Sequence, residues 1–253
     1  YYSDVVTAIN AGIDMVMVPY DYVAFIDTLT QAVKAGDVPM ERIDDAVRRI
    51  LRVKLELGLF DQPPVEPAGL KAIGTEAHRQ LAREAVQKSL VLLKNDGRVL
   101  PLAKDAPLIL VAGQSADDIG RQAGGWTIEW QGKEGDITEG TTILEGIKQA
   151  VGADSKVVYN RFGKFDRIKD KADVGIAVVG ELPYAEGVGD SADLTLSDAD
   201  VAAIQGLREH ADQVVVVLVS GRPMVITEQL ALADAWVAAW LPGTEGQGVA
   251  DAL

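Results

Sequence analysis

Five short apolar runs limit what this chain can become: LILVA (108–112), KVVY (156–159), DVGIAVV (173–179), VVVVLV (214–219) and AWVAAW (235–240). DVGIAVV is flat in hydrophobicity and rich in β-branched residues instead of alternating, the signature of a strand buried on both faces, and the other four are strand candidates beside it. Stretches of helical periodicity separate several of them, near Thr141–Val151, Asp198–Glu209 and Met224–Ala233. Strands alternating with helices imply parallel βαβ units with right-handed crossovers. The fold class expected is therefore α/β, with a three-layer α/β sandwich and a mainly parallel sheet over residues 76–253 that is incomplete at its C-terminus.

The rest of the chain has a different pattern. A long helix is expected over Glu76–Lys94, with an apolar stripe of Leu81, Ala85, Val86, Leu90 and Leu93. Before it, the segment FDQPPVEPAGLKAIGT lacks apolar periodicity and holds three of the ten prolines, which predicts a linker at 63–75. Ahead of the linker the pattern reads helix (Tyr1–Asn10), short buried strand (DMVMVP, Asp14–Pro19), helix (Tyr22–Ala35) and helix (Pro39–Leu57). This is the expected C-terminal part of a TIM-like (β/α)8 barrel, residues 1–62. The chain starts and stops inside helical patterns, as a piece of a longer polypeptide would.

Composition excludes several chemistries. A formal net charge of -14 disfavours a phosphate-binding surface, so no nucleic-acid partner is expected. The absence of cysteine removes thiolate nucleophiles, disulfides and cysteine metal sites. Two histidines, His78 and His210, lie far apart without a ligand pattern, so neither a metal nor a cofactor is expected. No apolar stretch reaches the roughly 18 residues of a membrane span.

Two segments offer chemistry instead. The run at 173–179 leads into GELPYAEGVGD (180–190), a loop at a strand's C-terminal end, where open α/β sheets usually bind ligands. It carries Glu181, Glu186 and Asp190 beside Tyr184, and it serves either as a solvated acidic turn or as a source of the carboxylic acid that glycoside chemistry needs. The second segment, GGWTIEWQG (124–132), sets Trp126 and Trp130 between glycines. The indoles either face a sugar or fill a core. In the first part of the chain, Met15 and Met17 share a face of the expected strand, and Asp14 suits a turn or cap. Nucleotide binding is disfavoured: the turn after LILVA lacks the three-glycine spacing and places Asp117 and Asp118 where phosphates would sit.

These segments, together with AGIDMVMVP, RIDDAVRRILRVKLELGLF, LAREAVQKSLVLLKN, SGRP and AAWLPGTEGQG, resemble glycoside hydrolase family 3 over nearly the whole chain, in particular its exo-acting β-glucanases and β-glucosidases. The resemblance implies a barrel followed by a sandwich, with a shallow pocket between them. It also implies hydrolysis of 1,3- and 1,4-linked β-glucans and gluco-oligosaccharides with retained anomeric configuration. In that family a barrel loop supplies an aspartate nucleophile and the sandwich supplies a glutamate acid/base. By motif position the acid/base is Glu186, whereas Glu181 takes a structural position. Trp130 matches one half of an aromatic clamp on the second sugar, Trp126 shares its loop, and Met17 matches a methionine that lines the pocket. Leu182 replaces a histidine common in relatives. The nucleophile's Asp-Trp pair belongs upstream of AGIDMVMVP and has no counterpart in these 253 residues. The implied partner is thus the missing barrel part of the same polypeptide, without which the chain is expected to be inactive. A secreted or periplasmic location is implied as well. The alternatives are a non-catalytic carbohydrate-binding module presenting Trp126 and Trp130, and a family 3 β-xylosidase.

Overall fold

The computed structural model describes residues 1–63 and 66–253, which divide into two compact units, Tyr1–Gly69 and Leu70–Leu253. The expected linker at 63–75 includes Pro64 and Val65, which lie outside the described residues. Of the remainder, Pro67–Ala72 forms a 3-10 helix.

The first unit contains three helices, α1 (Tyr2–Asn10), α2 (Tyr22–Ala35) and α3 (Met40–Glu56). Apolar residues at helical spacing bring α1 and α2 together over Val5, Ile9, Ala32 and Val38, with Phe25, Leu29 and Ile43 against them. Arg42 fastens α3 to this cluster: Nε donates to the Ile9 carbonyl at 2.8 Å and Nη2 to Asp14 Oδ1 at 2.6 Å. Asp14 is therefore occupied by an ion pair. The expected strand at Asp14–Pro19 does not form. Among the described residues no strand runs beside it, and without a neighbouring ladder an apolar run has nothing to pair with. Met15 and Met17 are consequently exposed, 68% and 87%.

The second unit is an α/β sandwich. A six-stranded sheet runs in the order β1-β6-β5-β4-β2-β3. Its strands are β1 (Val91–Asn95), β2 (Leu108–Ala112), β3 (Lys156–Asn160), β4 (Ala172–Gly180), β5 (Ala211–Val219) and β6 (Ala235–Trp240). The last five are mutually parallel, and β1 joins β6 antiparallel at one edge. Side chains alternate across the sheet and build two cores. After β2 comes a short helix, α5 (Ile119–Ala123). Ile109, Val111, Ile176, Val178, Val215, Val217 and Val237 face one layer, formed by α4 (Glu76–Ser89), α6 (Ile143–Ala150) and α8 (Gly246–Ala250). Leu110, Ala177, Val179, Val216, Leu218 and Trp236 face the other, where α7 (Asp198–His210) supplies Ala203, Ile204 and Leu207.

Two further expectations are corrected. The helix predicted over Glu76–Lys94 stops at Ser89, because the apolar run from Val91 pairs with β6, Val91 opposite Ala238. A short apolar run fits either state by pattern alone, and pairing decides between them. The helix expected at Met224–Ala233 is an irregular segment, with only Leu230–Leu232 in a 3-10 turn. There the Val225 amide donates to the Leu194 carbonyl at 2.8 Å, forming a bridge between Thr195 and Val225 that holds the β-branched stretch extended.

The order of connections fixes where a site can lie. The chain goes from β2 outward to β3, then crosses to the other side of β2 for β4, β5 and β6. The direction thus reverses between β2 and β4, and at such a switch point the loops leave the strands' C-terminal ends in opposite directions and open a crevice. The loop after β4 begins at Gly180.

The helices on this sheet depend partly on their caps. Thr142 accepts from the Glu145 amide at 3.1 Å while Glu145 Oε2 accepts from the Thr142 amide at 2.9 Å, a reciprocal capping box on α6. Thr142→Ala should lower stability by about 1 kcal/mol, read as an earlier urea midpoint at unchanged slope. Thr142→Ser should retain most of it.

Candidate active site

The loop leaving β4 turns sharply at its start. The Glu181 amide donates to the Val219 carbonyl of β5 at 3.1 Å, so residue 181 lies at the head of the neighbouring strand. Arg222, in the turn after β5, is therefore within reach. Its Nε and Nη2 donate to Glu181 Oε1 at 2.8 and 2.6 Å, and Nη1 donates to the Gly189 carbonyl at 2.6 Å. The guanidinium lies 4.3 Å from the centre of the Tyr184 ring, and the Tyr184 hydroxyl donates to Glu181 Oε2 at 3.0 Å. Burial, followed by the hydrogen bond to Glu181, pushes the Tyr184 phenol upward, which keeps it a donor. The hydrogen bond to Glu181 likewise raises the Arg222 guanidinium.

Glu186 occupies the outer part of the same loop, and its side chain is exposed. What is fixed there is the main chain. Gln131 Nε2 donates to the Glu186 carbonyl at 3.4 Å, and Gln131 Oε1 accepts from the Ala185 amide at 2.9 Å. Gln131 belongs to the tryptophan loop, so one amide side chain joins the two segments singled out from the sequence. Their backbones also meet at Gly125, where an added Cβ would lie 2.0 Å from the Tyr184 carbonyl oxygen. Only glycine allows that approach.

Trp126 and Trp130 are exposed, 69% and 49%, with ring centres 6.1 Å apart and planes inclined at 49°. The loop reading of GGWTIEWQG therefore holds in place of the core-filling one. The Trp126 amide donates to the Trp130 carbonyl at 2.9 Å, closing the loop on itself. The structure thus brings Glu186, Trp126 and Trp130 onto two adjoining loops of one unit. Met17 belongs to the other unit, exposed on the segment between α1 and α2.

A cleft of about 630 Å3 lies beside the loop, lined by Glu181, Tyr184 and Arg222 together with Arg121, Arg161 and Asp200. Glu186 and the two indoles lie outside its lining. Among the described residues no cluster of three or more His, Cys, Asp or Glu side chains could hold a metal ion, and no helix is long and apolar enough to cross a membrane.

Three residues were missed in the sequence. Arg222 lies in the SGRP motif, whose position after a strand signalled only a turn. Gln131 is an ordinary polar residue next to Trp130. Asp200 is the third, only 2% exposed at the start of α7, with Oδ2 accepting from the Ser197 hydroxyl at 2.8 Å and Oδ1 lacking a partner among the described residues. No signal announces it, because its burial depends on tertiary packing. Desolvation raises the Asp200 carboxyl above its ordinary value, opposed by the Ser197 hydroxyl and the charge of Arg121.

Residues 90–253 match the model of the glycosyl hydrolase family 3 C-terminal domain, and residues 1–53 match that of the family's N-terminal domain. The lysosomal β-glucosidase of Dictyostelium discoideum is 36% identical, covering 96% of this chain and 32% of its own length. The exo-1,3/1,4-β-glucanase ExoP from a Pseudoalteromonas species superposes with a TM-score of 0.86 at 42% identity, over 97% of this chain and 32% of that one. A β-glucosidase from Listeria innocua in complex with laminaribiose gives 0.82 at 27% identity, over 99% of this chain and 35% of that one. The chain spans about a third of the length of the curated relatives it matches.

The pH dependence of Asp200 has a definite sign. A carboxyl raised in the folded state binds its proton more tightly there than in the unfolded chain. Its contribution to stability therefore falls as pH rises from the ordinary aspartate value through the raised one. Urea midpoints measured across that window should decline less with pH in Asp200→Asn than in the parent protein.

Proposed function

From the premise that the chain belongs to glycoside hydrolase family 3, we propose that the full-length protein is a retaining, exo-acting β-glucan glucohydrolase with Glu186 as its acid/base. Its substrates are β-glucans and gluco-oligosaccharides with 1,3 and 1,4 linkages, from whose non-reducing ends it releases β-D-glucose. The likeness to ExoP and to the laminaribiose-bound Listeria enzyme supports this substrate class. The observation that carries the assignment is local: a solvent-reaching carboxylate stands on a loop whose backbone is hydrogen-bonded to the loop presenting two exposed indoles.

The chemistry asks two things of such a residue. Glu186 gives its proton to the glycosidic oxygen as the C–O bond breaks, while an aspartate on the barrel attacks the anomeric carbon from the other face. The ionised Glu186 then takes a proton from the water that hydrolyses the glycosyl-enzyme, inverting the centre a second time and so retaining its configuration. One face of the leaving sugar packs against Trp130, with Trp126 beside it, and Met17 contributes to the pocket from the barrel. In this reading residues 1–62 complete the barrel, 63–75 link, and 76–253 form the sandwich. The nucleophile comes from barrel sequence outside these 253 residues, so the chain by itself is inactive.

Glu186→Gln in the full-length protein should lower turnover of laminaribiose by about a hundredfold or more, the usual contribution of a general acid. An aryl glucoside whose phenolate leaves without help should retain far more of its first-step rate. Unchanged cleavage of laminaribiose would overturn the assignment. Titrating laminaribiose into the 253-residue chain, followed by tryptophan fluorescence, tests the binding-module alternative, for which saturation without the barrel is expected. The glucohydrolase reading expects negligible binding there and hydrolysis by the full-length protein.

A further inference from the structure

We propose that Arg222 is a positioning residue for the general acid, a clamp that holds both ends of the loop carrying Glu186. The inference rests on the assignment of Glu186 as acid/base.

The guanidinium uses its geometry fully. One edge, Nε and Nη2, grips Glu181 Oε1 at the start of the loop, and Nη1 holds the Gly189 carbonyl near its end, at 2.6 Å. The guanidinium carbon lies over the Tyr184 ring, 4.3 Å from its centre, and the ring's hydroxyl donates to the other Glu181 oxygen at 3.0 Å. Glu186 lies in the span between these anchors. The Gly189 amide, donating to the Ala185 carbonyl at 2.8 Å, tightens that span further. An exposed carboxyl has no packing of its own to fix it, so its position follows from its loop, which one cation ties through the Glu181 and Tyr184 side chains and the Gly189 carbonyl, while Gln131 holds the main chain at 185 and 186. A misplacement of about 1 Å can cost a catalytic group roughly a hundredfold in rate.

Lysine cannot replace this arrangement. An ammonium is a point charge on a flexible stem; it can pair with Glu181 but cannot also hold Gly189 and stack on Tyr184. Arg222→Lys therefore separates charge from geometry. The two roles Arg222 could play also predict different kinetics. A residue that only stabilises the fold would reduce activity equally on all substrates. A residue that aims the acid would reduce it most where the leaving group needs a proton.

The test measures kcat/KM of the full-length protein, of Arg222→Lys and of Glu186→Gln on laminaribiose and on aryl β-glucosides of graded leaving ability. Thermal midpoints confirm folding. For Arg222→Lys the expected result is a loss of about tenfold to a hundredfold on laminaribiose, less than about threefold on the most activated aryl glucoside, and a displaced limb of the pH–rate profile. Equal losses on every substrate with an unmoved limb, or no loss at all, would overturn the clamp. If Glu186→Gln itself shows no dependence on leaving group, the acid/base assignment fails, and the clamp falls with it. If only Arg222→Lys lacks that dependence, the assignment stands and the clamp alone is lost. Tyr184→Phe removes one hydroxyl from the same network and is read the same way if Arg222→Lys does not fold.

Discussion

Burial of β4 and β5 on both faces is the constraint from which the rest of the second unit follows. Ile176 and Val178 point into one core and Ala177 and Val179 into the other, as do Val215 and Val217 against Val216 and Leu218. Strands of that kind need helices on both sides, and helical crossovers make the strands parallel. Parallel strands put all their C-terminal ends on one edge. The loops after β2, β4 and β5 thus converge without any further instruction, and the reversal between β2 and β4 opens a crevice among them. Gly180 completes the arrangement. At φ 150 it brings the chain so close to β5 that a Cβ would lie 1.7 Å from the Val219 carbonyl oxygen. That closeness puts Glu181 within reach of Arg222, in the turn that follows β5.

The same loop treats its two glutamates in opposite ways. Glu181 is 13% exposed in its side chain and saturated by Arg222 and Tyr184, so its charge is used in holding the loop together. A pair this enclosed lies between the exposed ion pairs that contribute about 0 to 1 kcal/mol and the buried pairs whose desolvation offsets much of their attraction. Its value lies in geometry more than in net energy, because a planar fork against a carboxylate permits few arrangements. Among the described residues the Glu186 carboxyl has no partner, and only its backbone is held. One carboxylate is thus committed to structure, and the other stands exposed on a held backbone.

What could be read from the sequence matches what is local or periodic. Five strands announced themselves by short apolar runs, four of them buried and β3, at the sheet edge, only partly so, and both loops of the candidate site by glycines around aromatic or acidic residues. The errors share a physical cause. Val91–Asn95 and Asp14–Pro19 are both short apolar runs; the first is a strand because β6 lies beside it, and the second is not because no strand pairs with it among the described residues. Met224–Ala233 looked helical, yet Val225 is held extended by a partner about thirty residues earlier. Arg222 is visible in the sequence only as part of the SGRP segment, since its contacts depend on Gly189 and Tyr184, which the sheet brings to it. Asp200 illustrates the limit most clearly: an aspartate opening a helix reads as an exposed cap residue, and only packing shows it to be 2% exposed.

The tryptophan loop carries its own argument about cost. Trp126 and Ile128 adopt left-handed backbone conformations, φ 60 and 64, which are unfavourable for side chains of this size and most of all for a β-branched one. Such residues cost on the order of 1 to 3 kcal/mol each and persist only where the surroundings over-determine them. Burial within the described residues is not the compensation, because Ile128 is 74% exposed and Trp126 69%. Hydrogen bonds supply it instead: Trp126 to Trp130 at 2.9 Å, Glu129 to Thr127 at 2.8 Å and Gly132 to Glu129 at 3.0 Å close a tight knot. Gln131 then ties the knot to the loop of Glu186. A relaxed loop could fold its indoles inward and gain apolar burial on the order of 25 cal/mol per Å2. In the described residues this loop instead keeps both rings exposed, beside the loop of Glu186.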